Sequence, residues 1–424
     1  MCIIICWSSC RNDFETSPST GELEFSRDTV FLDTVFTNIG SSTYTLKVYN
    51  HSDKTISIPN VGLKNGENSD YRLNVNGIPG RTFENVEILA KDSIFIFIET
   101  TINYADYANP ESSFLYTDAI NFDTGVYQQK VELVTLVQDA IFLYPQKDDQ
   151  GIKETLSLGT DTDGNEVLIE GFFLDDEELN FTAEKPYVIY GYAAVAPDKT
   201  LNIEAGARIH FHAESGLIVA KNGSLHVNGK LSEDQDLLEN QVVFEGDRLE
   251  PDFSDVPGQW GLIWLTDGST DNNIEYATIK NATVGILMDS NDGTANPTLT
   301  IKNTQIYNSS NIGLYTKTGN ILGENLVINN SGISSLWLSL GGNYDFTHCT
   351  FANYWSQGFR NYPAVQIDNY LLTEDQAFVA DLLSANFTNC IIFGNLGEEF
   401  SVSQSEEATF NFKFTNCLIQ FEDT

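Results

Sequence analysis

The sequence predicts an all-β chain in two parts, a β-sandwich followed by a parallel β-helix. Three observations carry this. Apolar residues alternate with period two in runs of six to eleven residues across 21–145. From Thr200 onward the runs shorten and are punctuated by Gly, Asn and Asp. The 424 residues, with 27 Phe and 18 Tyr, are too many for one ordinary core and carry enough apolar material for a large interior.

Residues 1–20 come first. MCIIICWSSC is a short apolar run ending in small residues and a cysteine. Trp7-Ser8-Ser9-Cys10 resembles the box that is cleaved and lipidated in bacterial lipoproteins, which implies a truncated signal and a lipid on Cys10. RNDFETSPST then reads as a polar tether. No later stretch holds about 18 uninterrupted apolar residues, so membrane contact is expected through this anchor alone.

Residues 21–145 contain TVFLDTVF, YTLKVYN, TISIPNV, DYRLNV, SIFIFIET and KVELVTLVQDA, each bounded by turn formers. About seven such strands predict a sandwich. The order TVFTNIGSSTYTLKVYNHSDKTISI, YRLNVNGIPG, DSIFIFIE resembles the immunoglobulin-like modules at the front of Bacteroidetes-type surface proteins. It carries no catalytic residue across.

Residues 146–188 form a β-rich joining region. Its TDTDGNE at 160–166 has the oxygen content of a calcium loop, but the glycine and glutamate spacing of a helix–loop–helix site is missing, and strand-like TLSL and VLIEGFF flank it. A β-turn is expected, with calcium as the alternative.

Residues 189–424 carry the second part. Strands recur around Ile279, Ile306, Ile328, Phe351, Ile391 and Leu418, at spacings of 27, 22, 23, 40 and 27 residues, so rungs of 22 to 27 residues carry an insertion near 355–384. Asn281, Asn303, Asn308, Asn330, Asn389 and Asn416 fall where left-handed corners are needed. Cys349, Cys390 and Cys417 share FTHC and FTNC settings and read as stacked thiols. LLTEDQAFVADLLSA reads as a short amphipathic helix covering one flank. The run PDKTLNIEAGARIHFHAESGLIVAKNGSLHVNGKL, with QVVFEG and GQWGLIWL, resembles the opening rungs of right-handed parallel β-helix proteins of the bacterial surface. That fold serves lyases, hydrolases, adhesins and stalks alike.

A net charge of −38 makes nucleic acid a poor partner, because no cationic track exists to release counterions. A lyase would need a basic residue among calcium-binding carboxylates, and arginines after 189 are limited to Arg208, Arg248 and Arg360. A hydrolase would need two facing carboxylates, and no spacing in the chain declares such a pair. His210 and His212 alternate with Ile209 and Phe211, so both are expected to face solvent about 6 to 7 Å apart. Candidate ligand contacts are Trp260, Trp264 and Asp267 in one segment and Trp355, Arg360 and Tyr362 in the insertion, aromatics beside polar groups being the composition of a glycan platform. The expected role is a noncatalytic cell-surface or outer-membrane lipoprotein binding a glycan or an extracellular protein. A polysaccharide hydrolase or lyase and a purely structural envelope component are the alternatives.

Overall fold

The computed structural model describes residues 16–107, 113–161, 164–373 and 376–421; Cys10 and residues 11–15 of the tether lie outside them, whereas Ser17 and Pro18, read as tether, pair in parallel with Ile56 and Ser57. Among the described residues the chain is all-β, without an α-helix and with a few short 3-10 turns. It divides into two compact units at Asp139/Ala140. Sequence places this boundary six residues later, but Ile141–Leu143 pairs in parallel with Tyr187–Ile189 and so belongs to the second unit.

In the first unit two sheets enclose one core. One sheet contains Ile56–Leu63, Ser113–Phe122, Gln129–Gln138 and Thr29–Phe36; the other contains Tyr44–Tyr49, Ser93–Thr100 and Tyr71–Val75. Alternation decides which side is buried. In Ser93–Thr100 the side chains of Ile94, Ile96 and Ile98 enter the core, while Phe95 and Phe97 lie outside. The Tyr71 hydroxyl bonds the Tyr116 carbonyl and the Thr135 hydroxyl, satisfying a polar tip inside that core.

The second unit is built from three parallel ladders, each taking one strand from nearly every turn of chain. The first runs through Arg208–Phe211, Val242–Gly246, Ala277–Lys280, Gln305–Tyr307, Val327–Asn329, Thr350–Asn353 and Ile391–Gly394. The second passes through Gly216–Val219, Trp260–Leu265, Ala282–Met288 and Val365–Asp368, and the third through Ser224–Asn228, Leu299–Lys302 and Leu382–Thr388. Ile312–Glu324 and Ser334–Thr347 are long enough to serve both of these ladders. Inward residues of all three meet in a single continuous core.

Corner chemistry matches expectation at all six asparagines, whose φ values lie between 49° and 64°. Aligned rungs match less completely. Ile279, Ile306, Ile328 and Phe351 stack in register, but the next partners are Ile392 and Ile419, one residue beyond those expected. Cys349 and Cys390 are buried and Cys417 half-buried, all as free thiols on successive rungs.

Among the described residues the expected covering helix is absent. Tyr370–Leu372 and Ala377–Val379 pair as an antiparallel hairpin, and Leu382 returns to the third ladder. Leu372, Phe378 and Leu383, which a helix would have turned inward, are exposed. The strand tendency of Phe378-Val379 and the neighbouring ladder outweigh the helical spacing. The insertion is thus two excursions, 354–364 and 369–381, separated by the strand Val365–Asp368. TDTDGNE joins the antiparallel strands Thr155–Thr160 and Glu166–Phe173, and Asp161 accepts from the Asn165 amide at 2.8 Å.

Candidate functional site

The second ladder repeats one local plan. Ile286-Leu287-Met288, Leu314-Tyr315-Thr316 and Leu336-Trp337-Leu338 each alternate buried, half-buried, buried. Their register with Ile263-Trp264-Leu265 places Trp264, Leu287, Tyr315 and Trp337 in one outward row, with neighbours about 4.8 Å apart along the ladder. The Tyr315 and Trp337 rings lie 5.3 Å apart.

Both indoles are held by a carboxylate from the next rung. The Trp264 Nε1 donates to Asp289 at 2.5 Å, and the Trp337 Nε1 donates to Asp368 at 2.7 Å. Asp289 also pairs with Lys317 at 2.7 Å, and Asp368 accepts from the Ser339 hydroxyl and the Leu340 amide, each at 2.9 Å. These bonds set the ring orientations before any ligand arrives. Burial raises the pKa of Tyr315, keeping it a neutral phenol.

At the start of the row, Leu156, Leu158 and Phe173 of the Thr155–Phe173 hairpin help line a groove of about 300 Å³. Ala194, Ile218 and Trp264 share its lining, together with Asp267 and Asp289. An apolar groove continued by a row of rings and bordered by carboxylates fits the faces and hydroxyls of a neutral or cationic ligand. A polyanion would meet Asp267, Asp289 and Asp368, with Lys317 already paired.

Of the residues singled out from sequence, only Trp264 and Asp267 come together here. Trp260 is buried: its ring stacks on Phe211 at 4.3 Å and its Nε1 donates to the Lys280 carbonyl. It contacts core although it shares its strand parity with the outward Leu262 and Trp264, because the ladder register is irregular between Leu262 and Ile263 and the alternation does not run through. Arg360 is buried too, and its guanidinium is occupied by Glu399, the Tyr362 and Asn353 carbonyls and Asn395. That residue ties the 354–364 excursion to the rungs beneath. Trp355 is half-buried against Gly332, while Tyr362 and Phe359 are exposed on the same excursion.

A polar row lies on the outer face of the first ladder. His212 is half-exposed as expected, but His210 is only 4% exposed, closed over by the neighbouring rung. His210 Nδ1 sits 3.2 Å from the Gly246 carbonyl and 3.7 Å from Glu245, which pairs with Lys280 at 2.7 Å. Burial lowers the pKa of His210. His212 Nδ1 meets the Asp247 carboxylate at 2.7 Å and its ring stacks on Tyr190. Glu245 and Asp247 are the partners that sequence reasoning missed. The signal was the outward phase of QVVFEGD once Phe244 is placed inward beside Ile209. Among the described residues, no group of three or more His, Cys, Asp or Glu side chains is placed to hold a metal ion.

No protein-family model matches the chain, and no curated protein matches it. Among solved structures, it is similar to a family 123 glycoside hydrolase from Clostridium perfringens described for glycolipid glycan hydrolysis, at 9% identity and a TM-score of 0.20. That match covers 27% of this chain and 26% of the other, so the chain spans about a quarter of that protein. It is also similar to the catalytic domain of a GH87 α-1,3-glucanase in complex with tetrasaccharides, at 9% identity and a TM-score of 0.19, covering 89% of this chain and 82% of that one. At these scores neither likeness carries a fold or an activity to this chain.

Proposed function

We propose that the chain is a noncatalytic carbohydrate-binding protein of the cell surface, with an immunoglobulin-like sandwich followed by a right-handed parallel β-helix. Anchoring through a lipid on Cys10 belongs to the same reading. Its ligand is a neutral or amine-bearing glycan lying along Trp264, Tyr315 and Trp337. The observation that supports this most is the pinning of both indoles by Asp289 and Asp368, since a ring fixed in advance loses little entropy on stacking against a sugar. Those carboxylates are also committed to hydrogen bonds, which favours holding a ligand over proton transfer to it.

The second reading is a glycoside hydrolase. It is favoured by one observation: Asp267 and Asp289 both line the groove beside Trp264. A panel of soluble glycans tested with and without calcium, reading retained ligand and released reducing ends, separates the two. Retention without release is the expected result. Release that disappears in Asp267→Asn or Asp289→Asn establishes the hydrolase, and silence throughout leaves a structural envelope role.

A further inference from the structure

We propose that the outer face of the first ladder carries a second ligand site, for an uncharged polyhydroxyl compound such as a sugar unit or polyol. A trough of about 450 Å³ lies there, lined by Asp255, Gln305, Tyr307, Asn308, Asn329 and Gln357 among others. Tyr307 and Asn329 sit opposite each other in register. The segment carrying Asp255, between Val242–Gly246 and Trp260–Leu265, and the 354–364 excursion both reach the trough and are fastened to its lining: the Asn308 side-chain amide donates to Asp255 at 3.5 Å, and the Tyr354 backbone amide donates to Asn330 at 3.3 Å.

The chemistry of the lining selects the ligand. Carboxamides offer a donor and an acceptor side by side, the complement of a hydroxyl that does both. Asn329 Oδ1 is buried without a protein partner, and a turn of that amide toward the trough would let a ligand hydroxyl satisfy the acceptor. An anion finds no available cation, because the nearby Lys280 is paired with Glu245 at 2.7 Å and Asp255 repels it. A divalent cation would want more carboxylates than the single one present. The trough lies on a different ladder from the aromatic row and depends on amides instead of rings, so the two sites stand independently.

Saturation-transfer NMR on the full chain, with glucose, cellobiose, sorbitol and glucuronate as probes, tests this. In the Trp264→Ala/Trp337→Ala protein, transfer to at least one neutral probe should persist and glucuronate should receive none. Adding Asn329→Ala should weaken that binding about fivefold, the loss of one neutral hydrogen bond. Gln357→Ala, an exposed change that leaves the ladder alone, should weaken it in the same direction, which separates a binding defect from a folding defect. The site is overturned if neutral probes receive no transfer once the rings are removed, if glucuronate competes equally, or if the amide and Gln357 variants bind unchanged.

Discussion

Trp260 and Trp264 stand four residues apart on one strand and do opposite things. Trp260 fills the core against Phe211, whereas Trp264 lies in the outward row with its indole held by Asp289. Substitution should expose the difference. Trp260→Ala should cost about 3 to 5 kcal/mol of stability, seen as a lower melting temperature. Trp337→Ala should leave the melting temperature nearly unchanged and weaken glycan binding by about 2 kcal/mol, some 30-fold in Kd by titration. His210 supplies a pH prediction. Burial lowers its pKa, so below the ordinary value of 6.5 the unfolded chain takes up a proton that the folded chain resists. Its effect on stability is therefore neutral above that pH and becomes a loss as pH falls through it. Denaturant titrations near pH 7.5 and pH 5.5 should show a larger acid loss in the wild type than in His210→Gln.

At the scale of elements, the strands and corners were legible and the outward rows were not. Asn281 through Asn416 announce the left-handed corners because so few residues tolerate that backbone. Tyr315, Trp337, Asp289 and Asp368 lie up to 104 residues from Trp264 along the chain, and only the register of the rungs brings them together. The recurring pattern of GILM, GLYT and SLWL was available as a second alignment, but spacing alone cannot tell which corner of a rung it belongs to. Helical spacing in LLTEDQAFVADLLSA misled for a related reason: it contains a hairpin and part of a ladder strand, and a helix-like period emerges from their junction. Arg360 misled through exposure, since an arginine amid polar and aromatic residues reads as a contact until its carboxylate, Glu399, arrives from 39 residues later. Removing one member of this buried pair leaves the other uncompensated. Arg360→Ala should therefore lose about 3 to 5 kcal/mol in chemical denaturation, with Glu399→Ala comparable.

Among the described residues the two units hold separate main cores, one formed within the first unit and one running through the three ladders, and a smaller cluster of Leu156, Tyr192, Ala194 and Ile218 lies beside the second. Each main core is large enough to support its own cooperative transition. Expressed separately, residues 16–139 and 140–424 should each fold, and calorimetry of the joined chain should resolve two transitions matching those of the pieces. The charge of −38 also acts at this scale, discouraging anionic ligands and slowing their approach at low salt. Glycan binding along the second ladder is the central claim. It is tested most directly by titrating soluble neutral glycans into the full chain while following tryptophan fluorescence, for the wild type and for Trp264→Ala/Trp337→Ala. A saturable change in the wild type, at least about 30-fold weaker in the variant by an independent binding measurement, is the predicted result. Equal affinity in the two proteins, with both correctly folded, would contradict it.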